Sequence, residues 1–244
     1  MSCLVYCILS SHGAWPPRFP AGVDGCPVTL VEAKGLGAAV SLGVAGAAGE
    51  SPGISRLLAY ERVVETFDRQ GAVLPMRYGC VLAGEAEVKA LLGENHRCYG
   101  AALKELEGRT ELGVRIALEE GRTGAQKRGR PSVPLSSGGK DYLNQRRRHY
   151  AAADGSSRRR KAAGERCRAA LAGLFVRCKA EGPTAAHPLF NRPLLSLYFL
   201  VEREKVEAFV QAFHTLAQKV EEKMLLSGPW PPYNFVPQKG GTGG

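Results

Sequence analysis

Apolar residues run in strand-like or helix-like rhythm through residues 3–118 and again from about residue 158. The run "CLVYCIL" (3–9), rich in Val, Ile and Tyr, predicts a first strand. The loop "SSHGAWPPRFPAG" follows, and "PVTLVEAKGLGAAVSLG" (27–43) predicts one or two short strands broken by glycines. In "SRLLAYERVVETFDRQG" (55–71), Leu57, Tyr60, Val64 and Phe67 recur at steps of three and four, so a helix is expected, with Gly71 as its stop. "AVLPMRYGCVL" (72–82) predicts a strand interrupted at Pro75. A second helix is expected over roughly 85–107, burying Val88, Leu92, Tyr99, Leu103 and Leu106. "ELGVRIAL" then alternates: Leu112, Val114, Ile116 and Leu118 face one way, Arg115 and Glu119 the other. Strands mixed with two helices predict an α+β domain over 1–120.

The pattern dissolves in "GRTGAQKRGRPSVPLSSGGK" (121–140), which has linker composition. "DYLNQRRRHYAAA" is compatible with helix until "DGSS" interrupts it. "RRRKAAGERCRAALAGLFVRCKA" (158–180) resumes the helical rhythm, with Cys167, Leu171, Leu174 and Cys178 on one stripe. "RPLLSLYFLVE" (192–202) reads as an apolar strand, and "EKVEAFVQAFHTLAQKVEEKM" (204–224) as a helix burying Val206, Phe209, Phe213, Leu216 and Val220. The expected architecture is therefore α+β: two small α+β domains, over 1–120 and 166–238, joined by a basic linker and helical segment over 121–165, with a disordered tail over 239–244.

One short segment fits neither a core strand nor a tail. "GPWPPYNF" (228–235) combines three prolines with three aromatic residues. Pro231 and Pro232 offer no ladder donors, which bars a central strand. Trp230, Tyr233 and Phe235 carry apolar area that a free tail would waste. They are expected to fill the core of the second domain, with the prolines halting further strand pairing; the alternative is an exposed aromatic patch that grips a partner. Arg77, between Met76 and Tyr78 in an apolar strand, is expected to be buried in a salt bridge.

Charge changes the picture in one place. The formal net charge is +10, and residues 126–168 hold thirteen Lys or Arg against three Asp or Glu. The rest of the chain balances. The runs "RRRHY" (146–150) and "RRRK" (158–161) raise nucleic-acid binding, but only Tyr142 and Tyr150 stand near as stacking platforms, and a solvated connector is the plainer reading. Seven cysteines with no C-x-x-C pair argue against a disulfide framework or a zinc ribbon and fit a reducing compartment, and Cys80 and Cys98 read as small core residues. The opening "MSCLVYCILS" lacks a basic n-region and a small-residue cleavage site, so a signal peptide is not expected, and no run approaches a membrane span.

Catalytic patterns do not emerge. "GVAGAAGESPG" is glycine-rich without the Lys-Ser/Thr ending of a phosphate loop. His12, His96, His149, His187 and His214 are scattered, there is no G-x-S-x-G elbow, and the carboxylate pairs Glu119–Glu120 and Glu221–Glu222 lie in polar stretches. No catalytic residue, cofactor or metal is expected.

Four stretches, in one order, carry a family likeness. "VLPMRYGCVL" (73–82) resembles the Leu-Pro-hydrophobic-Arg-aromatic-Gly signature of the gas vesicle proteins of the F and L type. "LEGRTELGVRIAL" (106–118) and "GKDYLNQRRR" (139–148) are similar to that family's Gly-Val-containing strand and its Tyr-Leu-x-x-Arg helix start, and "GPWPPYNF" to its nearly terminal Gly-Pro-Trp-Pro-Pro-Tyr-x-Phe. Tyr60 stands where many relatives have His. The resemblance implies a cytoplasmic, gas-vesicle-associated protein of vesicle biogenesis, not an enzyme, whose second domain is a modified ferredoxin-like unit. It implies a minor structural or assembly role, binding the small hydrophobic major shell protein and other minor gas vesicle proteins, with no membrane partner. The motif residues it marks as structural or partner-binding are Pro75, Arg77, Tyr78, Gly79, Tyr142, Arg146, Gly228, Trp230, Pro231, Pro232, Tyr233 and Phe235. Nucleic acid ranks below the shell protein as a partner; the alternative function is RNA binding by a basic arm on an α+β platform.

Overall fold

In the computed structural model, which describes residues 2–13, 15, 18–44, 53–117, 157–182 and 194–237, the first strand β1 (Cys3–Ser10) is fully buried at every position from Cys3 to Leu9. A strand covered on both faces needs a continuous apolar run, and that is what the sequence supplies. β1 pairs antiparallel with β3 (Leu36–Leu42) on one side, and with the short β4 (Val73–Pro75) and β5 (Val81–Leu82) on the other. β2 (Val28–Ala33) completes the order β2-β3-β1-β4. The β2–β3 hairpin turns on Lys34 and Gly35, both at positive φ, as a two-residue I′ turn requires.

Two helices cover this sheet. α1 (Ile54–Asp68) buries Tyr60, Val63, Val64 and Phe67 against Leu4, Tyr6, Cys7 and Leu9. Leu57, expected in that stripe, is 37% exposed beside Ile54 and Leu58, because the buried stripe begins one turn later at Tyr60. α2 (Glu85–Leu106) packs on β1, β2 and β3 through Val88, Leu91, Leu92, Tyr99, Leu103 and Leu106, largely the expected face. Cys98 falls on the exposed side of α2 and Cys80 is half-buried, so neither is the core residue expected.

The register of β1 slips between Val5 and Cys7, leaving Tyr6 as a β-bulge. This is why Leu4, Tyr6, Cys7 and Leu9 all reach the α1 side. The bulge residue is hydrogen-bonded at both ends. Its carbonyl accepts the Met76 N–H at 2.8 Å, and its hydroxyl accepts the Val23 N–H at 2.9 Å and donates to Ser41 Oγ at 3.0 Å. The Ser41 hydroxyl in turn donates a hydrogen bond to the Pro27 carbonyl at 2.9 Å. Tyr60 directs its hydroxyl among the Val5, Tyr6 and Met76 carbonyls at 3.1, 3.1 and 2.8 Å, and its ring lies 5.0 Å from that of Tyr6.

The remaining described residues include β6 (Arg109–Ala117), helix α3 (157–170), β7 (Arg177–Glu181), β8 (Leu194–Glu202), α4 (Val206–Lys219) and β9 (Met224–Trp230). The four strands form a sheet in the order β7-β8-β6-β9. The helix expected over 158–180 ends at 170; Gly173 sits at φ 81°, and the strand-favouring Phe175 and Val176 lead into β7. Cys178 is thus a strand residue, while Cys167 and Leu171 are buried as expected. Phe199 anchors this core, edge-on to Phe175 at 5.0 Å and to Phe209 at 5.2 Å. Gly164 of α3 lies against Leu195 and Leu197 of β8.

The chain divides into two compact units that are not contiguous in sequence. The first is Met1–Leu112 with Leu200–Val206 and Gly228–Gly244; the second is Gly113–Phe199 with Glu207–Ser227. Within the first, Arg203 donates to the Asp68 carboxylate at 2.6 Å and to its carbonyl at 3.1 Å. The boundaries expected at 120 and 166 do not describe this division, because returning segments pack with the first unit. Most of the expected linker, to residue 156, lies outside the described residues, and 157–165 is already helix.

Removing the Tyr60 hydroxyl leaves carbonyls without their donor in a dry core. Tyr60→Phe is expected to lower folding stability by about 1–3 kcal/mol, read as a lower midpoint in equilibrium denaturation with an unchanged m-value.

Candidate functional site

The motif residues of the first and last stretches meet in one cluster of the first unit. β4 ends at buried Pro75, opposite Cys7. The chain then turns from Arg77 to Cys80, whose N–H donates to the Arg77 carbonyl at 3.1 Å, with Gly79 at φ 86° in the corner. That positive φ is the reason for a glycine there. Tyr78 swings back onto the core, edge-on to Tyr60 at 5.3 Å, with its hydroxyl buried and without a hydrogen-bond partner among the described residues. Arg77 points the other way. Its side chain is exposed and makes no ion pair among the described residues, so the expected buried salt bridge does not exist. The turn places Arg77 beyond the end of the strand, outside the apolar layer.

The terminal motif begins inside β9. Gly228 stands at φ 105°, where a Cβ would lie 2.7 Å from the Glu111 carbonyl oxygen, so only glycine fits. The Thr110 hydroxyl donates to the Trp230 carbonyl at 2.9 Å. The strand stops at Trp230, and Pro231 and Pro232 follow outside the ladder. A single 3-10 turn over Tyr233–Phe235 closes through Tyr233 N–H to the Pro231 carbonyl and Phe235 N–H to the Pro232 carbonyl, at 2.8 and 3.0 Å.

Two carboxylates hold this turn. Glu111, 4% exposed, receives the Asn234 backbone N–H at 2.8 Å and its side-chain amide at 2.6 Å. Glu61 receives the Tyr233 hydroxyl at 3.1 Å. Burial raises the Glu61 carboxyl above its ordinary 4.5, opposed by the Tyr233 hydrogen bond and assisted by Glu65. The Tyr233 ring packs against the same core cluster as Tyr78.

The motif is thereby split. Pro231, Pro232 and Phe235 are buried and Tyr233 half-buried, whereas Gly228, Pro229 and Trp230 are exposed, Trp230 by 43%. The aromatics that do pack lie in the first unit, which corrects the expectation that they fill the second domain's core. Trp230 itself does not fill a core. Tyr142 and Arg146 lie outside the described residues. Glu61, Thr110, Glu111 and Asn234 were not singled out by the sequence. Glu111 has the strand parity of Arg115, which reads as a solvent position, and only its place inside a family-like stretch hinted otherwise.

The remaining chemistry is quiet. Burial drives the Cys7 thiol above its usual range and pushes Cys167 up to about 12, so both are held protonated. Among the described residues no cluster of His, Cys, Asp and Glu is arranged to hold a metal ion, and no helix is long and apolar enough to cross a membrane. What the arrangement offers is a rigid ledge presenting an aromatic side chain.

Comparison with known proteins places this geometry. The family model described as gas vesicle synthesis protein GvpL/GvpF matches residues 2–237. Gas vesicle protein L of a Streptomyces species is 27% identical over 249 residues, covering 95% of this chain and 91% of that protein. Gas vesicle protein F of the same source is 30% identical over 254 residues, covering 97% and 100%. The crystal structure of GvpF from Anabaena sp. superposes with a TM-score of 0.70 at 18% identity, over 97% of this chain and 96% of that one. GvpF from Microcystis aeruginosa gives 0.69 at 16% identity, over 97% and 99%. At those identities the two structures establish a shared fold.

Two outcomes follow from the site's electrostatics. A carboxyl whose folded pKa is raised costs stability when ionised, and that cost disappears as pH falls through the raised value. Between neutral pH and the ordinary Glu range, the wild type should therefore gain stability on acidification relative to Glu61→Gln; parallel pH–stability curves would show that Glu61 does not titrate in this way. Arg77→Ala should change stability by less than about 0.5 kcal/mol, seen as coincident melting curves.

Proposed function

Because the chain belongs to the gas vesicle synthesis protein GvpL/GvpF family, we propose that it is a minor structural or assembly component of gas vesicles that binds the small hydrophobic shell protein. Such a shell subunit exposes apolar surface before it is incorporated, and a partner must cover that surface without aggregating itself. Other minor gas vesicle proteins are further candidates for contact, the cytoplasm is the compartment where the work is done, and buoyancy is its consequence. The β6-α3-β7-β8-α4-β9 succession and the order β7-β8-β6-β9 support reading that part of the chain as a modified ferredoxin-like unit. The protein is not an enzyme in this reading.

The observation that carries the partner contact is Trp230. A tryptophan 43% exposed directly before the buried Pro231 and Pro232 is an anomaly for packing. It is ordinary for recognition, where Trp on a preorganised backbone loses little entropy on binding. Gly228, the Thr110 bond and the Asn234–Glu111 pair fix the backbone on both sides of it.

Trp230→Ala should leave stability within about 1 kcal/mol of wild type and weaken binding to purified shell protein by about 10–100-fold, as expected for an aromatic anchor. Thermal melting and a binding titration read the two effects separately. Unchanged shell-protein affinity would remove Trp230 from the contact and leave the motif a structural element. A large loss of stability would show that its exposed area is not available to a partner.

A further inference from the structure

In sequence the positive charge of the described residues is densest from α3 to β7 of the second unit. From Arg158 to Lys179 there are eight basic residues and one acidic, Glu165. On α3 the buried positions are Ala163, Gly164 and Cys167. The opposite crest carries Arg158, Ala162, Glu165 and Ala169, with Arg159 and Arg166 along one flank and Lys161 and Arg168 along the other, all exposed. Arg166 is held by Glu222. Arg159, Lys161 and Arg168 have no ion-pair partner among the described residues. Arg168 also acts on the Cys178 thiol of β7, lowering its pKa against the burial that raises it, so this flank of α3 lies over the Cys178 face of β7, while Arg177 and Lys179 alternate to the other face.

We propose that the α3 face binds double-stranded DNA through its phosphates, with no reading of base sequence. Three features favour this partner over an acidic protein or a single strand. The exposed arc of α3 holds no large apolar or aromatic residue, and protein interfaces draw most of their affinity from such anchors. Single-stranded nucleic acid is held by aromatic stacking, which the arc equally lacks. Phosphate contact needs only charge, and arginine, the commonest residue here, matches phosphate in bidentate fashion. The geometry adds the choice of groove. On the crest Ala162 and Ala169 leave room beside the long Arg158 and Glu165, and basic rows on both flanks face the two phosphate walls. A helix about 10–12 Å across fits the B-DNA major groove of about 12 Å. The deep, narrow major groove of an RNA duplex excludes it.

The test uses the full chain and a mixed-sequence DNA duplex, titrated at several salt concentrations. Binding should be of micromolar order or tighter near 50 mM salt, and log Kd should rise linearly with log salt. The triple variant R159A/K161A/R168A removes only exposed side chains, and its melting curve should coincide with wild type. Its salt slope should fall by about 0.9 per lost contact, roughly 3 in all, with at least about tenfold weaker binding at low salt. A duplex affinity that is absent, or equal in the triple variant, would overturn the proposal. So would tighter binding of oligouridylate or of polyglutamate than of the duplex, the first pointing to single strands and the second to an acidic protein surface.

Discussion

The first unit depends on how one buried strand satisfies its own peptide groups. β1 is covered on both faces, and a buried carbonyl without a donor costs about as much as a lost hydrogen bond. The bulge at Tyr6 breaks the ladder and would leave such groups behind. Tyr60 and Met76 supply the missing donors, and the Tyr6 hydroxyl carries the network to Val23 and Ser41. Strand, helix, loop and turn are thereby tied to a single irregularity. A Cβ at Gly22 would sit 2.3 Å from the Tyr6 hydroxyl, so the loop approaches this closely only as glycine. Position 60 therefore has to combine an apolar body with a polar tip that donates, which tyrosine does and a plain apolar residue does not.

The terminal segment repeats the logic with carboxylates. A buried Glu111 without partners would be strongly unfavourable, and so would an uncovered Tyr60 cluster. Asn234 presents two donors to the one, and Tyr233 lays its ring against the other. Each half satisfies the other, and residues more than a hundred positions apart are thereby brought together. Ion-dipole pairs of this kind add little net stability compared with apolar packing, but they fix register. Here the register decides which side of the motif faces outward.

Much of the fold was legible. The β1 run, the α1 stripe from Tyr60 on, the α2 stripe, Leu112, Val114 and Ile116 of β6 and Phe209 and Phe213 of α4 follow from hydrophobic period, a local property. Val206 and Leu216 are only half-buried, α4 ends at Lys219 before Val220, and Leu118 and Glu119 lie outside the described residues. What was not legible is non-local. The bulge at Tyr6 leaves no mark in an unbroken apolar run. The helix expected over 158–180 ends early because Gly173 and the following β-formers outweigh a continuing apolar stripe. Arg77 was judged by its apolar neighbours, yet a turn, not a strand, holds it. In the candidate site, the motif residues were visible as a pattern, while Glu61 and Glu111 were not, because a carboxylate in a polar or alternating stretch reads as solvated until its partner is seen. The return of 200–206 and 228–237 to the first unit is likewise invisible in any window of sequence.

The motif "GPWPPYNF" now divides by physical demand. Gly228 is required by φ and by the Glu111 carbonyl, and Pro231 and Pro232 end the ladder and bury themselves. Tyr233, Asn234 and Phe235 complete a core or a hydrogen bond. Trp230 alone meets none of these demands with its full side chain. Its carbonyl is held by Thr110 while much of its indole faces water. Folding accounts for Gly228 and for every position from Pro231 to Phe235, and the backbone that carries the indole is held on both sides. An aromatic surface in water costs free energy in the isolated chain, and a held backbone lowers the entropic cost of association. The residue that packing explains least is thus the one on which the proposed partner contact rests.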